Sequence, residues 1–346
     1  HLSLRRQRQM CIRDRYYYYL DSTPTHSYMR QLYKYPQAAF PYDDLVKTNR
    51  ERGRYDAEYE LIDTGVFDDD RYFDVTVEYA KASPTDILIR ITAANRGDRP
   101  ADIHLLPTLW FRNTWSWGDG PPDANAKTKP GLHRTPGLAK TQAVTAEHSE
   151  LGTWRFCLEG DPELLFTENE TNTERLFNQP NRTPFVKDAF NNYVVHGSKD
   201  AVNPAHVGTK CAGYYKLSVP PGGEKVIRLR LAQATGAGAS APIDKTFDAA
   251  FDARIKDAEA FYAAVTPKNA TPDETLVIRQ ALAGMLWTKQ YYQFDVNMYL
   301  TERGVDPLAP HRTNLRNGDW FHMTNNHVIS MPDKWEYPWF ATWDLA

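Results

Sequence analysis

The sequence predicts a mainly β N-terminal sandwich followed by α-helices. Three observations lead there. From residue 16 to about residue 235, short alternating segments recur between Gly, Pro and Asn. Near residue 235 the composition shifts through Gly236-Ala237-Gly238-Ala239-Ser240-Ala241-Pro242, a flexible linker. Beyond it, apolar residues recur every three or four positions instead of every two.

The leader comes first. Residues 2–15, LSLRRQRQMCIRDR, are basic and have no apolar period. The string RQRQMCIRDR resembles translated sequencing-adaptor readthrough, so residues 1–15 are set aside as a non-native leader. At the other end the chain stops at WFATWDLA, with no cap, glycine or polar tail, and reads as an interior segment broken off.

The sandwich is expected over residues 16–235. Residues 72–80 (YFDVTVEYA) alternate and are rich in β-formers. Residues 86–94 (DILIRITAA) place Ile87, Ile89 and Ile91 on one face and Leu88, Arg90 and Thr92 on the other. Asn95-Arg96-Gly97-Asp98 is a turn signal and residues 101–112 resume as strand, which predicts a hairpin. Residues 154–158, 164–167, 193–196, 213–219 and 224–232 add short strands, with a tight turn at Pro220-Pro221-Gly222-Gly223. Residues 118–140, rich in Pro, Gly, Lys and Thr, predict a long surface loop.

The helices follow. Residues 236–270 are expected to be a linker carrying one helix, in which Phe247, Phe251, Ile255, Ala258 and Tyr262 form a single apolar stripe. Thr271-Pro272-Asp273-Glu274 is a helix start, with Thr271 as cap, Pro272 at the first helical position and Glu274 completing a capping box. That pattern predicts a helix running to about residue 299.

Composition narrows the function classes. The 346 residues carry 41 basic and 44 acidic side chains, a net charge of −3, which gives a nucleic acid nothing to hold. No apolar run reaches the ~18 residues that span a bilayer, so no membrane partner is expected. Three cysteines, Cys11, Cys157 and Cys211, form neither a disulfide framework nor a Cys-x-x-Cys metal pattern, and a reducing, cytoplasmic setting is the expectation. His311, His322 and His327 lack the spacing of a compact two-histidine metal site. There is no Gly-x-Ser-x-Gly elbow and no phosphate loop. Aromatic residues make up 13%, which suits sugar stacking and an all-β core equally.

The chemistry concentrates in residues 318–346. Trp320, Trp335, Trp339 and Trp343 lie among Asp319, Asp333, Glu336 and Asp344, with Trp287 shortly before. Aromatic platforms beside carboxylates suit glycoside cleavage. Rings hold sugar faces, one carboxylic acid protonates the leaving oxygen, and a second carboxylate activates water or attacks the anomeric carbon.

The string Tyr337-Pro338-Trp339-Phe340-Ala341-Thr342-Trp343-Asp344 resembles the segment entering a barrel helix in glycoside hydrolase family 63. Residues 16–39 and 95–118 are also similar to its bacterial members. The resemblance covers residues 16–346 and implies a sandwich, a helical linker and then an (α/α)6 barrel, of which residues 271–346 would be the incomplete start. It implies that Asp344 is the general acid of an inverting α-glucosidase or α-mannosidase. Trp335, Glu336, Trp339 and Trp343 would bind substrate. The general base of an inverting enzyme sits ~6.5–9.5 Å away and is far downstream in the family, so this chain alone is expected to be inactive. No cofactor is expected. Some family members bind calcium, but Asp68-Asp69-Asp70 lacks the alternating acids and glycine of a calcium loop. The rival reading is a non-catalytic carbohydrate-binding or scaffold sandwich. Asp21 and His26, beside the tyrosine-rich start, read as structural.

Overall fold

The structure is a computed structural model that describes residues 16–113, 115, 129–137, 140–234, 243–302, 304–306, 322 and 324–331. It begins with strands β1 (Tyr17–Ser22) and β2 (Tyr28–Pro36), then helix α1 (Tyr42–Glu51). Strands β3 (Tyr72–Ser83), β4 (Asp86–Asn95), β5 (Ala101–Leu105), β6 (Thr108–Trp110), β7 (Gly131–Thr135), β8 (Thr141–His148), β9 (Gly152–Glu159) and β10 (Glu163–Thr167) follow. After the short helices α2 (Thr173–Phe177) and α3 (Ala189–His196) come β11 (Val207–Gly208), β12 (Lys210–Val219) and β13 (Glu224–Gln233). The last elements are α4 (Lys245–Val265), α5 (Pro272–Trp287), β14 (Lys289–Asp295), α6 (Val296–Glu302) and β15 (Thr324–Ser330).

Strands β1–β13 form two stacked sheets, as an alternating sequence with one apolar face requires, and β14 and β15 form a separate two-stranded ribbon. A nine-stranded sheet runs β1-β2-β3-β4-β13-β9-β8-β7-β11, and a smaller one runs β10-β12-β5 with β6 also on β12; every pairing is antiparallel. The core lies between them. Phe73, Ile91, Phe156 and Leu229 of the large sheet meet Ile103, Phe166, Cys211 and Val219 of the small one. Gly213 is required at one close approach, because a Cβ there would sit 2.2 Å from Cδ2 of Leu158 on the opposite sheet.

The expected hairpin after residue 94 does not form. β4 pairs with β3 and β13, whereas β5 pairs with β12 in the other sheet. The Asn95-Arg96-Gly97-Asp98 segment is therefore a crossing between layers. Asn95, only 1% exposed, holds it: its amide donates to the carbonyls of Arg99 (2.7 Å) and Val219 (3.0 Å) and accepts from Gln37 Nε2 (2.6 Å) and the Gly97 amide (2.9 Å). The chain crosses back at Pro220–Gly223. There the Gly223 amide donates to the Pro220 carbonyl at 3.0 Å, and Gly222 takes φ 62°, a left-handed conformation open to glycine.

Three other expectations are corrected. Residues 193–196 belong to helix α3, not a strand, because Phe190 and Tyr193, three apart, close over Leu165 and Ala212 on the outer face of the small sheet. The helix stops at Gly197, φ 70°. Within the expected loop at residues 118–140, residues 131–135 are strand β7, paired on both edges. The helix from Thr271 ends at Trp287 instead of reaching residue 299. The aromatic run Tyr291, Tyr292 and Phe294 that follows pairs as β14 with β15.

The helical stripe forms as expected. Phe247, Phe251, Ala258 and Tyr262 are the buried residues of α4, and the first three pack on Tyr28, Ala80 and Leu88 on the outer face of the large sheet. Leu88 and Ile91 thus serve opposite faces of β4, the first under α4 and the second in the sandwich core. Each buried phenylalanine contributes about 3 kcal/mol. At the start of α5 the capping box is present: the Thr271 hydroxyl accepts from the Glu274 amide, and the Glu274 carboxylate accepts from the Thr271 amide at 2.8 Å. No helix among the described residues is long and apolar enough to cross a membrane.

Candidate functional site

Asp344, Trp335, Glu336, Trp339 and Trp343, the acid and platforms expected from the sequence, lie outside the described residues. So does His311, while His327 stands on β15. What the structure places is the frame leading towards that segment, and two polar clusters that sequence reading did not assemble.

The frame is the junction of β1, α4 and α5. Trp287, the last residue of α5, stacks on Tyr19 of β1 with ring centroids 5.3 Å apart, and its indole nitrogen donates to the Asp21 carbonyl at 2.8 Å. Tyr262 of α4 donates its hydroxyl to the Ser22 carbonyl at 2.6 Å. Arg279 of α5 pairs with the Asp21 carboxylate while lying 4.8 Å over the Tyr262 ring. Burial pushes the Asp21 carboxyl above the ordinary aspartate range, and the hydrogen bond and charge of Arg279 only partly offset this. A raised carboxyl among aromatic rings is the setting a general acid needs. Asp21 is nonetheless 5% exposed and enclosed by the helix it anchors, which makes it a structural residue, as the sequence suggested. From this junction the chain continues through β14 and β15. Met331 closes the ribbon, its amide donating to the Thr288 carbonyl at 3.1 Å.

The first cluster stands on the rim of the sandwich. After β10 the chain bends at Asn169, and Glu168 and Glu170 on either side of the bend both approach Lys129. Glu168 accepts from the Thr209 hydroxyl at 2.6 Å and from Lys129 at 3.0 Å. Glu170 accepts from the Trp115 indole at 2.9 Å, with Lys129 3.9 Å away. Asn169 ties the base together: its amide nitrogen donates to Phe111 O at 2.8 Å, and Asn113 donates to Asn169 O at 3.0 Å. Two carboxylates, a lysine and a tryptophan are residue types of carbohydrate chemistry. Here, however, each carboxylate is already engaged by two donors and anchors the chain on either side of residues 116–128. The only sequence signal was Glu168-Asn169-Glu170 directly after a strand, because the partners come from three separate segments.

The second cluster spreads over the outer face of the large sheet, where Glu78 takes a bidentate pair from Arg90 (2.8 and 3.0 Å) and the Tyr28 hydroxyl (2.6 Å). Burial pushes the Glu78 carboxyl up, but these hydrogen bonds and the arginine charge together hold it below the ordinary glutamate range. Among the described residues, no group of three or more His, Cys, Asp or Glu side chains is placed to hold a metal ion.

No protein-family model matches the chain. It is similar to the uncharacterized protein YMR196W of Saccharomyces cerevisiae, 39% identical over 371 residues, an alignment covering 95% of this chain and 34% of that protein. The chain therefore spans about a third of the length of the curated relative it matches. Among solved structures it is similar to a putative kojibiose phosphorylase from human microbiome, with TM-score 0.23 and 9% identity over 68% of this chain and 25% of that one. It is also similar to a galactose mutarotase related enzyme from Lactobacillus acidophilus, with TM-score 0.30 and 7% identity over 65% of this chain and 73% of that one.

Proposed function

We propose that the whole protein is a carbohydrate-active enzyme, an inverting glycosidase of α-glucosides or α-mannosides, with Asp344 as its general acid. The observation that carries this reading is the Trp343-Asp344 pair closing an aromatic run, placed after a β-sandwich and two helices. In this reading residues 271–346 begin a helical catalytic barrel. Trp335, Trp339 and Trp343 offer flat apolar faces to the sugar, and Glu336 binds a hydroxyl.

The chemistry asked of Asp344 is proton donation to the glycosidic oxygen as its bond to the anomeric carbon breaks. Water attacks from the opposite face and loses its proton to a base, so the configuration inverts. No residue of this chain is assigned as that base. An apolar, tryptophan-lined setting suits the acid because it keeps a carboxyl protonated near neutral pH.

The test is Asp344→Asn in the full-length protein, assayed on α-glucosides and α-mannosides. General-acid catalysis contributes about 10²–10⁴-fold. Turnover should fall by that factor while substrate binding, read by calorimetry, persists. Undiminished turnover in the variant overturns the assignment.

A further inference from the structure

On the outer face of the large sheet, the strand registers stack side chains into cross-strand rows. Tyr28, Ala80 and Leu88 form the row covered by α4. The next is Arg30, Glu78, Arg90 and Arg228. Then come Leu32, Thr76, Thr92 and Val226, and after them Lys34, Asp74, Ala94 and Glu224. Helix α4 reaches only the first charged row, where the Arg90 guanidinium lies 4.5 Å over the Phe251 ring. The two charged rows are four residues apart along the strands, roughly 14 Å between Cα positions, and neighbouring strands are about 4.8 Å apart. Because the row between them is short-chained, the rows bound a depression of about 350 Å³ running across the strands. That volume falls in the range of small-molecule sites, about 300–1,000 Å³.

Its walls are held rigidly. Glu78 is clamped by Arg90 and Tyr28, and Asp74 by Lys34 at 2.9 Å and Arg96 at 2.6 Å. Four other groups in the groove keep hydrogen-bonding capacity, although the Arg30 charge also acts on Glu78. The side chains of Arg30, Glu224, Thr76 and Thr92 make no hydrogen bond or ion pair among the described residues. Arg30 and Glu224 stand exposed at diagonally opposite corners, with the two threonines between them. Three arginines and three carboxylates line the groove, so its charge cancels. An anionic ligand meets a carboxylate on either rim and a cationic one meets arginines. An uncharged ligand with donors and acceptors along both edges satisfies all of them.

We propose that this groove is an accessory, non-catalytic site for a neutral oligosaccharide lying across β2, β3, β4 and β13. Its hydroxyls bridge Arg30 and Glu224 above Thr76 and Thr92. This rests on the carbohydrate reading above and adds a second place where the sugar is held, away from Asp344.

The test is calorimetric titration of the 346-residue chain with maltohexaose and mannohexaose, with hexagalacturonate as the anionic control. The variants are Arg30→Ala, Glu224→Gln and the groove-filling Thr92→Trp. The first two change exposed side chains outside the core, so the test does not depend on Thr92→Trp folding. One neutral hexasaccharide should bind, about tenfold or more weaker in Arg30→Ala and in Glu224→Gln, and not at all in Thr92→Trp. Hexagalacturonate should bind more weakly than the neutral ligand. Binding of neither neutral hexasaccharide, equal binding by all the variants, or preference for hexagalacturonate overturns the groove. If the whole protein hydrolyses no glycoside while the groove variants still lose binding, the catalytic reading falls and the groove stands. If turnover depends on Asp344 but the groove variants bind like wild type, the reverse holds.

Discussion

The side-chain amide of Asn95 donates a 3.0 Å hydrogen bond to the carbonyl of Val219, tying the large sheet to the small one where the chain passes between them in both directions. No other position among the described residues links the two crossings through one side chain that uses both amide protons and both lone pairs.

Replacing Asn95 with alanine should therefore cost about 3 kcal/mol or more, since each buried group left without a partner costs about 1–3 kcal/mol. Denaturant unfolding should show a lower midpoint with an unchanged slope. A loss under 1 kcal/mol would mean that the crossings hold without this residue.

Glu78 sets an acid limit on stability. Its folded pKa lies below its unfolded value, so its contribution is complete above about pH 4.3 and disappears as pH falls through the folded value. Glu78→Gln should cost about 3 kcal/mol at pH 7, because Arg90 and Tyr28 lose a buried charged acceptor. The difference from wild type should stay flat above pH 5 and shrink below it. Unfolding curves across pH 2.5–7 check this, and a difference independent of pH would contradict it.

Asp21 has the opposite sign. Its folded pKa is raised, so it lowers stability once ionised, and that cost is relieved as pH falls through the folded value towards the unfolded one, about 3.9. Arg279→Met removes the countercharge and leaves a buried carboxylate without it. We expect a loss of about 3–5 kcal/mol at pH 7.5 and partial recovery at pH 5. A loss of the same size at pH 7.5 and pH 5 would show that Arg279 acts through packing and not through charge.

These residues show how much of the fold could be read locally. The α4 stripe and the Thr271–Glu274 cap were legible because each is a pattern within one or two helical turns. Asn95 was not, since a turn between strands and a crossing between sheets use the same residue types, and only the distant partner Val219 distinguishes them. Val194 and Val195 favoured a strand, but burial of Phe190 and Tyr193 against the small sheet outweighed that preference. The length of α5 was overestimated because its apolar residues continue into β14, whose partner β15 lies some thirty residues on. The same holds for sites. The aromatic-carboxylate run ending at Asp344 is compact in sequence and visible at once. The rim cluster around Glu168 and the groove between Arg30 and Glu224 exist only once separate strands are in register.

The core cysteines yield the last prediction. Cys157 and Cys211 are both free and buried, on different sheets. Burial pushes both thiols up, Cys211 to about 12, with the nearby Arg155 opposing the shift at Cys157. While it stays buried, the Cys211 thiol is therefore held in its protonated, unreactive form even at pH 9. A thiol reagent should therefore modify neither residue in the folded protein and both after denaturation. Peptide mapping must separate them from Cys11, which lies outside the described residues. Because the Cys211 side chain packs between the two sheets, its labelling rate under native conditions reports how often the sandwich opens. If it reacts as fast as an exposed thiol, the two sheets do not close on each other as described.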